Sequence, residues 1–530
     1  MVRCGEALVD LLERLDTDTV FGIPGVHTLE IYRGLARSRI RHVTPRHEQG
    51  GAFMADGWAR VTGRPGVCVF ISGPGLTNAI TPIAQAYHDS IPLLVISGVV
   101  AEAERLNGEI HDLPDQQGLM STVTAFSYEV RDPAELPEVL EWAYDVFQAG
   151  RPRPVHIQIP VDVLRREADV AAGAAPDPRA RPPRAAPEGI EAAVDALASA
   201  RSPLILLGGG ARDAGRPALA LARRLGAPVG LTINARGAID HDDPLCLGSA
   251  LAFAPVSDIL READGVVLAG AQLSDLDLWG LDAPLELTGV IRIDIDADQL
   301  ERRYPPAVAL HGDARETLEA LAAAVEGRVE EDAERTARAE RRVAEALASI
   351  AWPPAVADFA DVVAALDAAL PRDRLIAGDS TKPAYAANHS LPMHEPRSWL
   401  MPIGYGCLGA ALPMAIGAKL AAPERPVVAL AGDGGFLFTL QELATAHDLG
   451  LSLPVIVYNN EGYGEIRDAM DESEIPHTGT EFAIHDVPAI ARGFGCDGVR
   501  VESADELRAV LAEALDAPGP TVIELRTPAG

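Results

Sequence analysis

The sequence predicts an α/β protein built from three doubly wound parallel-sheet domains. The chain has 530 residues, and at roughly 100–200 residues per domain this length corresponds to about three domains. Short runs of Val, Ile and Leu that end in glycine, such as SPLILLGGG and RPVVALAGDGG, alternate with longer amphipathic segments. Such runs are apolar at consecutive positions because helices cover both faces of a parallel sheet.

Two segments that lack the strand pattern divide the chain. Residues 166–189 are rich in Pro, Ala and Arg, which is typical of an exposed connector. Residues 327–351 form a charged, helix-like run that ends at Pro353 and Pro354, where the proline ring stops a helix. We therefore predict domains over residues 1–165, 190–325 and 355–530.

The composition excludes several kinds of partner. Lys and Arg number 45 against 77 Asp and Glu, a net charge of −32 that repels nucleic acid and anionic lipid. The five cysteines are far apart and form no CxxC pair, so we expect no disulfide framework, no zinc site and a cytoplasmic location. The N-terminal segment predicts an amphipathic helix and no export signal, and runs such as 91–100 are shorter than the ~20 residues of a membrane span.

The strongest local motif is AGDGG at 431–435, followed by YNN at 458–460 at the end of the next predicted strand. In an open α/β sheet both segments should face one crevice at the carboxyl ends of the strands. Asp433 and Asn460 offer oxygen ligands, and the glycines after Asp433 allow backbone N–H groups to approach a phosphate. The pair favours Mg²⁺ joined to a diphosphate, although GDG alone is equally typical of a tight turn.

This pair of motifs resembles the GDG…NN diphosphate-binding motif of the thiamine-diphosphate (ThDP) enzymes. Three further segments resemble the acetolactate synthase branch of that family: FGIPG at 21–25, RHEQGGAFMADGWAR at 46–60 and SGPGLTNA at 72–79. The resemblance covers nearly the whole chain. It implies a pyrimidine-binding domain, a central Rossmann-like domain and a diphosphate-binding domain, with ThDP and Mg²⁺ as cofactors. It also implies a homodimer or homotetramer with sites between subunits.

The resemblance assigns roles to individual residues. Glu48 would hydrogen-bond the aminopyrimidine of ThDP and favour the tautomer that takes the proton from C2, whereas a lone Glu in this setting is usually a solvated helix residue. Leu408 would be the bulky side chain that keeps the cofactor bent, with a plain core residue as the alternative. The metal ligands would be Asp433, Asn460 and the carbonyl of Gly462. The other implied cofactor contacts are Thr77, Asn78, Ser380, Thr381, Gly406, Gly432, Gly434, Gly435, Tyr463 and Gly464.

Departures from the synthase pattern indicate the substrate. Where synthases carry Phe-Gln-Glu this chain has His111-Asp112-Leu113, and Glu465 and Asp379 stand at positions that are apolar in synthases. Clustered carboxylates repel one another, a cost that a bound guanidinium would offset through bidentate contacts. Each carboxylate alone is as often a surface residue, but together they favour a cationic substrate.

These features resemble the branch of 5-guanidino-2-oxopentanoate (2-ketoarginine) decarboxylases. Such an enzyme would decarboxylate this 2-oxo acid without oxidation, to 4-guanidinobutanal and CO₂. His27 is a candidate proton donor in that reaction, with a surface histidine as the alternative and His111 as a substitute donor.

Two other functions remain open at this stage. An acetolactate synthase would ligate pyruvate and bind FAD in the central domain, but residues 270–278 (GAQLSDLDL) lack the Arg and paired Asp of the synthase segment, so we expect no FAD. A non-catalytic regulatory or assembly protein would be expected to lose Glu48, Asp433 or Asn460, and all three are present.

Overall fold

The computed structural model describes residues 2–168, 176–281, 283–484 and 486–526. Their strands form three six-stranded sheets in which every neighbouring pair is parallel. The prediction of three parallel-sheet α/β domains is confirmed. None of the helices within these ranges is both long enough and apolar enough to cross a membrane.

The N-terminal sheet has the strand order β3-β2-β4-β5-β7-β6, and the short strands β1 and β8 form a separate antiparallel pair. Its strands are β1 (Val2–Arg3), β2 (Thr19–Gly22), β3 (Arg41–Val43), β4 (Gly66–Phe70), β5 (Leu93–Val99), β6 (Ser127–Glu129), β7 (Val155–Pro160) and β8 (Glu167–Ala168). Its helices are α1 (Cys4–Arg14), α2 (Leu29–Leu35), α3 (Glu48–Thr62), α4 (Pro74–Asn78), α5 (Ile80–Asp89), α6 (Gln116–Ser121), α7 (Leu136–Ala149) and α8 (Val161–Arg165). The predicted N-terminal amphipathic helix is thus α1, which buries its apolar face.

The central sheet has the order β11-β10-β9-β12-β13-β14, which is the doubly wound order of the Rossmann fold. Its strands are β9 (Pro203–Leu207), β10 (Val229–Leu231), β11 (Cys246–Gly248), β12 (Gly265–Ala269), β13 (Val290–Asp294) and β14 (Val308–His311). The helices are α9 (Pro187–Ser199), α10 (Gly215–Leu225), α11 (Val256–Arg261), α12 (Ala314–Val325) and α13 (Ala333–Ala348).

The C-terminal sheet has the order β16-β15-β17-β18-β20-β19. Its strands are β15 (Leu375–Gly378), β16 (Trp399–Leu400), β17 (Val427–Gly432), β18 (Leu453–Tyr458), β19 (Asp497–Val501) and β20 (Pro520–Leu525). The helices are α14 (Pro354–Ala357), α15 (Ala360–Ala369), α16 (Lys382–Ser390), α17 (Ala411–Ala421), α18 (Asp433–Thr439), α19 (Glu442–Asp448), α20 (Gly464–Glu472), α21 (Val487–Gly493) and α22 (Ala504–Ala514).

The N-terminal and C-terminal sheets share one topology. If the six strands of each sheet are numbered along the chain, both sheets have the order 2-1-3-4-6-5, whereas the central sheet has the order 3-2-1-4-5-6. The two outer domains therefore present equivalent strand ends.

Regular structure extends into both segments that separate the predicted domains. Within residues 166–189, β8 pairs with β1 at the start and α9 begins at Pro187, a position where the missing N–H of proline costs nothing. Residues 169–175 lie outside the described part of the chain. The charged run forms α13 and ends before Pro353, as predicted, and Pro354 opens the next helix. The domain boundaries themselves stay a prediction.

Helices α3 and α17 join the outer domains through contacts between their backbones. A Cβ added at Gly57 would lie 2.2 Å from the carbonyl oxygen of Met414, and one at Gly417 would lie 1.9 Å from that of Met54. One continuous apolar core includes side chains from both domains. This packing sets the position of Glu48, the first residue of α3, relative to the C-terminal domain.

Candidate active site

The predicted activating carboxylate, Glu48, lies at the N-terminal end of α3 beside the loop that precedes α4. Asn78 donates a hydrogen bond to Glu48 Oε2 at 3.0 Å. A Cβ on Gly75 would lie 3.2 Å from Glu48 Oε1, so the absence of a side chain there leaves room for the carboxylate. Asn78 and Thr77, both predicted cofactor contacts, are exposed on the same short helix.

A buried carboxylate from the C-terminal domain holds the backbone just before Glu48. Glu442 Oε1 accepts from the N–H of Arg46 at 3.1 Å and from the N–H of His47 at 3.0 Å. Thr445 donates to Glu442 Oε2 at 2.7 Å. No sequence motif indicated Glu442. The one related feature of the sequence is Gly50, because a Cβ there would lie 2.3 Å from Glu442 Oε1.

His27, the predicted proton donor, lies against His111 at the carboxyl edge of the N-terminal sheet. The His27 Nδ1 atom is 2.5 Å from the Ser72 hydroxyl, and the two imidazole rings pack edge to face with their centres 5.6 Å apart. Burial, together with the charge of His111, lowers the pKa of His27. The structure therefore brings the two candidate donors together.

Asp112, a predicted substrate residue, follows His111 in this cluster. Its Oδ2 atom accepts from the N–H of Leu106 at 2.5 Å. Its Oδ1 atom and the Nδ1 atom of His111 are buried without a hydrogen-bond partner among the described residues. A buried acceptor without a donor costs folding free energy, and a ligand that donates a hydrogen bond to this carboxylate would offset that cost.

The three predicted metal ligands converge at the carboxyl ends of β17 and β18. One terminal atom of the Asn460 side-chain amide lies 3.3 Å from Asp433 Oδ1 and 2.8 Å from the carbonyl oxygen of Gly462. If that atom is nitrogen, it donates to both oxygens; if it is oxygen, three acceptors meet and require a cation between them. The oxygen and nitrogen of the Asn460 amide can exchange places by a rotation of the side chain, so both arrangements are compatible with these distances. The donor set is one that Mg²⁺ accepts.

Asp433 is buried, and its environment is suited to an ionised ligand. It accepts from the N–H of Gly434 at 2.8 Å and from the N–H of Gly462 at 2.9 Å. Burial raises the pKa of Asp433, and these backbone hydrogen bonds oppose the increase. A bound divalent cation would favour the ionised form further.

The glycines of the GDGG motif are packed too closely for side chains. A Cβ on Gly434 would lie 2.7 Å from the ring of Tyr463, and one on Gly435 would lie 2.6 Å from Asp379 Oδ2. Gly432 precedes α18, and a Cβ there would lie 2.9 Å from the hydroxyl of Thr381. Seven predicted cofactor contacts thus lie at the carboxyl ends of the neighbouring strands β15, β17 and β18: Ser380, Thr381, Gly432, Gly434, Gly435, Tyr463 and Gly464.

The loop that carries Leu408 is held on both sides. Gly406 and Gly409 adopt φ angles of 66° and 84°, a left-handed backbone that favours glycine. Asp379 Oδ2 accepts from the N–H of Gly409 at 2.7 Å, and Thr439 donates to the carbonyl of Gly409 at 2.8 Å. Leu408 itself is half-buried, as a side chain at a cofactor surface should be.

Asp379 lies beneath this loop with its side chain turned into the protein. It is 1 % exposed, and Oδ1 accepts from the N–H of Ser380 at 2.9 Å. Burial raises the pKa of Asp379 to about 6, opposed by the surrounding backbone N–H groups. The carboxylate thus holds the Leu408 loop through the Gly409 N–H, and its role as a substrate contact stays a prediction.

Glu465 lies at the start of α20 with a cation already nearby. Partial burial of its carboxyl raises the pKa of Glu465, Lys382 lowers it, and Asp468 raises it. Lys382 also forms an ion pair with Asp468. Burial raises the pKa of Tyr385, and the charges of Glu465 and Asp379 raise it further. No sequence motif indicated that Lys382 lies near Glu465.

Glu48, His27 and Asp112 lie in the N-terminal domain, and Asp433 and Glu465 lie in the C-terminal domain. Among the described residues no hydrogen bond connects the cluster of Glu48, His27 and Asp112 to that of Asp433 and Glu465. Both domains expose large apolar side chains; they include Val26, Leu29, Leu106 and Ile110 of the N-terminal domain, and Tyr405, Leu437, Phe438 and Ile466 of the C-terminal domain.

A cavity of about 340 Å³ lies where the three domains meet. It opens at the strand ends of the central sheet and is lined there by Gly209, Gln272 and Asp294, and on the other side by Arg151. This is the region where residues 270–278 lack the synthase pattern. The absence of FAD stays a prediction.

Family models match all three domains. The N-terminal domain of thiamine pyrophosphate enzymes, described as TPP-binding, matches residues 2–119, the central domain matches residues 190–321, and the C-terminal TPP-binding domain matches residues 378–525. Thiamine pyrophosphate is another name for ThDP. The chain belongs to the thiamine pyrophosphate enzyme family, which confirms the family resemblance found in the sequence.

Individual relatives are similar over almost the whole chain. A protein of Pseudomonas aeruginosa named a probable 2-ketoarginine decarboxylase is 46% identical, over 99% of this chain and 94% of the relative. The acetolactate synthase isozyme 1 large subunit of Escherichia coli is 33% identical, over 98% of this chain and 93% of the relative. The acetolactate synthase large subunit of Parasynechococcus marenigrum is 32% identical, over 99% and 87%.

Proposed function

We propose that this protein is a ThDP- and Mg²⁺-dependent decarboxylase of 5-guanidino-2-oxopentanoate (2-ketoarginine), which releases CO₂ and 4-guanidinobutanal. Replacement of the carboxylate by one proton converts the 2-oxo acid to the aldehyde, so no oxidant is required. The observation that carries the substrate assignment is the buried Asp112 Oδ1 atom, which has no donor among the described residues.

Asp433, Asn460 and the Gly462 carbonyl would hold the Mg²⁺ ion, which joins the protein to the diphosphate. Their converging oxygens support this assignment. Gly434 and Gly435 lie in the first turn of α18, whose N-terminal end would face the phosphate oxygens. Bound ThDP supplies the carbon nucleophile and the electron acceptor that decarboxylation of a 2-oxo acid requires.

Glu48 would bind the aminopyrimidine as a hydrogen-bond acceptor. Its ionised form favours the tautomer of the ring that can take a proton, which a neutral side chain cannot do. The Asn78 amide, at 3.0 Å, keeps the carboxylate oriented. Leu408, on a loop fixed by Asp379 and Thr439, would present the apolar surface against which the cofactor bends.

The guanidinium of the substrate would be bound by carboxylates from both halves of the site. Asp112 offers an acceptor without a donor among the described residues, and burial raises the pKa of the partly buried Glu465 carboxyl, a cost that a bound cation would offset. A guanidinium presents several N–H donors in a fixed fork and matches such oxygens. The name of the Pseudomonas aeruginosa relative supports the same substrate.

The substrate assignment is tested with purified protein, ThDP, Mg²⁺ and a panel of 2-oxo acids of matched length. A charged hydrogen bond contributes about 1.5–3 kcal/mol, so we expect kcat/KM for the guanidino acid to exceed that of a neutral acid by roughly ten- to several-hundredfold. Glu465→Gln should lower kcat/KM mainly for the guanidino acid. Glu334→Gln is the matched control and should change it little, because Glu334 is likewise a first-turn glutamate but lies on α13.

The other outcomes of this panel separate the alternatives. Equal kcat/KM for guanidino and neutral acids would contradict the cationic pocket while leaving the cofactor assignment intact. Carboligation of pyruvate by a flavin-containing protein would identify an acetolactate synthase. Failure to turn over any 2-oxo acid with ThDP bound would indicate a non-catalytic protein.

His27 would donate the proton that replaces CO₂ in the product. Because burial lowers its pKa, the imidazolium is a minor but strongly acidic species at pH 7. We expect His27→Ala to lower kcat by about 10²–10⁴-fold, the usual value of a general acid or base. An unchanged kcat and pH profile in this variant would transfer the role to His111 or to water.

A further inference from the structure

Glu442 is a buried carboxylate that the proposed reaction does not use. It is 0 % exposed, and burial raises its pKa. It lies at the start of α19, 395 residues from His47 along the chain, yet its oxygens contact the segment that leads into α3. A charged group in such an environment is stable only if its hydrogen bonds are satisfied.

The hydrogen bonds of Glu442 all point toward one short segment and its own helix. Both carboxylate oxygens lie 3.1 Å from the N–H of Arg46, and Oε1 lies 3.0 Å from the N–H of His47. The Arg46 guanidinium forms an ion pair with Asp448 at the other end of α19. The backbone of the two residues before Glu48 is therefore attached to the C-terminal domain.

This attachment fixes where α3 begins. The hydrogen bonds to Glu442 satisfy two backbone donors ahead of the helix, and the His47 side chain accepts from the N–H of Gln49 at 3.2 Å. Gly50 completes the arrangement, because a Cβ there would lie 2.3 Å from Glu442 Oε1. A displacement of the carboxylate would move the start of the helix and with it Glu48.

We propose that Glu442 is a positioning residue that holds Glu48 at the place where it contacts the ThDP pyrimidine. This inference rests on the proposed function, in which Glu48 promotes removal of the C2 proton of ThDP. Glu442 itself touches neither cofactor nor substrate; it acts through the Arg46–His47 backbone. Small displacements of catalytic groups cost about 10²-fold in rate, which sets the scale of the effect.

The test compares wild type with Glu442→Gln. The amide keeps the size of the side chain but has one acceptor oxygen; because both oxygens of Glu442 lie 3.1 Å from the N–H of Arg46, either orientation of the amide turns an NH₂ group toward that N–H. We expect the C2 proton of bound ThDP to exchange with D₂O about ten- to a hundredfold more slowly, measured by acid quench and ¹H NMR. The dissociation constant of ThDP in Mg²⁺ should remain within about twofold of wild type, because the Asp433 cluster is unchanged.

A second readout needs no cofactor. Amide hydrogen exchange followed by mass spectrometry should show faster exchange at residues 46–49 in Glu442→Gln than in wild type. Gly50→Ala serves as a second variant, because it displaces the carboxylate without removing it and should slow C2 exchange in the same direction.

The matched control is Asp264→Asn in the central domain. Asp264 likewise accepts from two successive backbone N–H groups, those of Arg201 at 3.0 Å and Ser202 at 2.8 Å. This variant should leave C2 exchange within about twofold of wild type, since it removes the same type of contact far from Glu48 along the chain.

The outcomes separate this inference from the proposed function. If Glu48→Gln exchanges C2 as fast as wild type, the proposed role of Glu48 fails and this inference fails with it. If Glu48→Gln is slow but Glu442→Gln and Gly50→Ala match wild type, only the positioning role is overturned. Loss of ThDP binding in Glu442→Gln, or equal slowing by Asp264→Asn, would show a merely structural role and also overturn it.

Discussion

At the level of single residues, the burial of Asp379 makes stability depend on pH. Its pKa in the folded protein is about 6, against an ordinary 3.8, so the folded state binds this proton more tightly than the unfolded state does. Above pH 6 the group is ionised in both states, and the folded protein bears the cost of the buried charge. As pH falls through 6 toward 5, protonation of Asp379 therefore stabilises the fold.

We expect this contribution to be on the order of 1 kcal/mol between pH 7 and pH 5. Asp379→Asn removes the titration, so wild type should gain thermal stability relative to the variant when the pH is lowered. The measurement is the difference in Tm between the two proteins at pH 5 and pH 7. The same difference at both pH values would show that Asp379 titrates normally.

At the level of elements, the pair α3 and α17 depends on the absence of two side chains. Gly57 and Gly417 lie against the backbone of the opposite helix, and Gly417 leaves only 1.9 Å for a Cβ before the carbonyl oxygen of Met54. Each helix adjoins a site residue: Glu48 is the first residue of α3, and Leu408 precedes α17 by three positions. Separation of these helices would displace both.

Gly417→Ala should therefore destabilise the protein, by about 1–3 kcal/mol as for other overpacked cores. The measurement is Tm by differential scanning fluorimetry. Gly493→Ala is the matched control, because Gly493 also lies in a helix and a Cβ there would meet no atom within 4 Å. A Tm for Gly417→Ala equal to that of this control would show that the helices can separate without cost.

At the level of the whole molecule, the exposed apolar side chains on both halves of the site point to association of two copies. Each of the eight side chains named above is at least 41% exposed in the single chain. Exposed apolar side chains that form a contiguous patch are typical of interaction surfaces. We propose a dimer in which Glu48 of one subunit completes the site that contains Asp433 of the other.

Mixing two inactive variants tests this arrangement. Glu48→Gln should lose cofactor activation, and Asp433→Ala should lose Mg²⁺-dependent ThDP retention, because the diphosphate then lacks its bridge. If subunits exchange at random in a symmetric dimer, about a quarter of all sites combine a wild-type Glu48 with a wild-type Asp433. Activity should then return on mixing to about that fraction, measured as CO₂ release after subunit exchange. Two variants that stay inactive in a verified mixed dimer would place each site within one chain.

The sequence by itself determined the fold class and the candidate residues of the site. Strand runs, glycine turns and proline stops act over a few residues, so their pattern predicts each domain without knowledge of the others. The motifs that hold Asp433 and Asn460 are likewise local, because each follows directly from a strand whose carboxyl end faces the crevice. Glu48 and Leu408 were instead assigned through the resemblance of their segments to the ThDP enzymes.

Tertiary structure decided what those residues are attached to. Glu442 reaches the backbone before Glu48 across 395 residues, and Lys382 lies beside Glu465 because two strand-end loops meet at one edge of the sheet. Asp379 turns its carboxylate inward to the Gly409 N–H, which a motif of consecutive residues does not reveal. Burial and long-range hydrogen bonds depend on how separate elements pack. They cannot be predicted from local sequence patterns, because such patterns do not specify which distant elements come into contact.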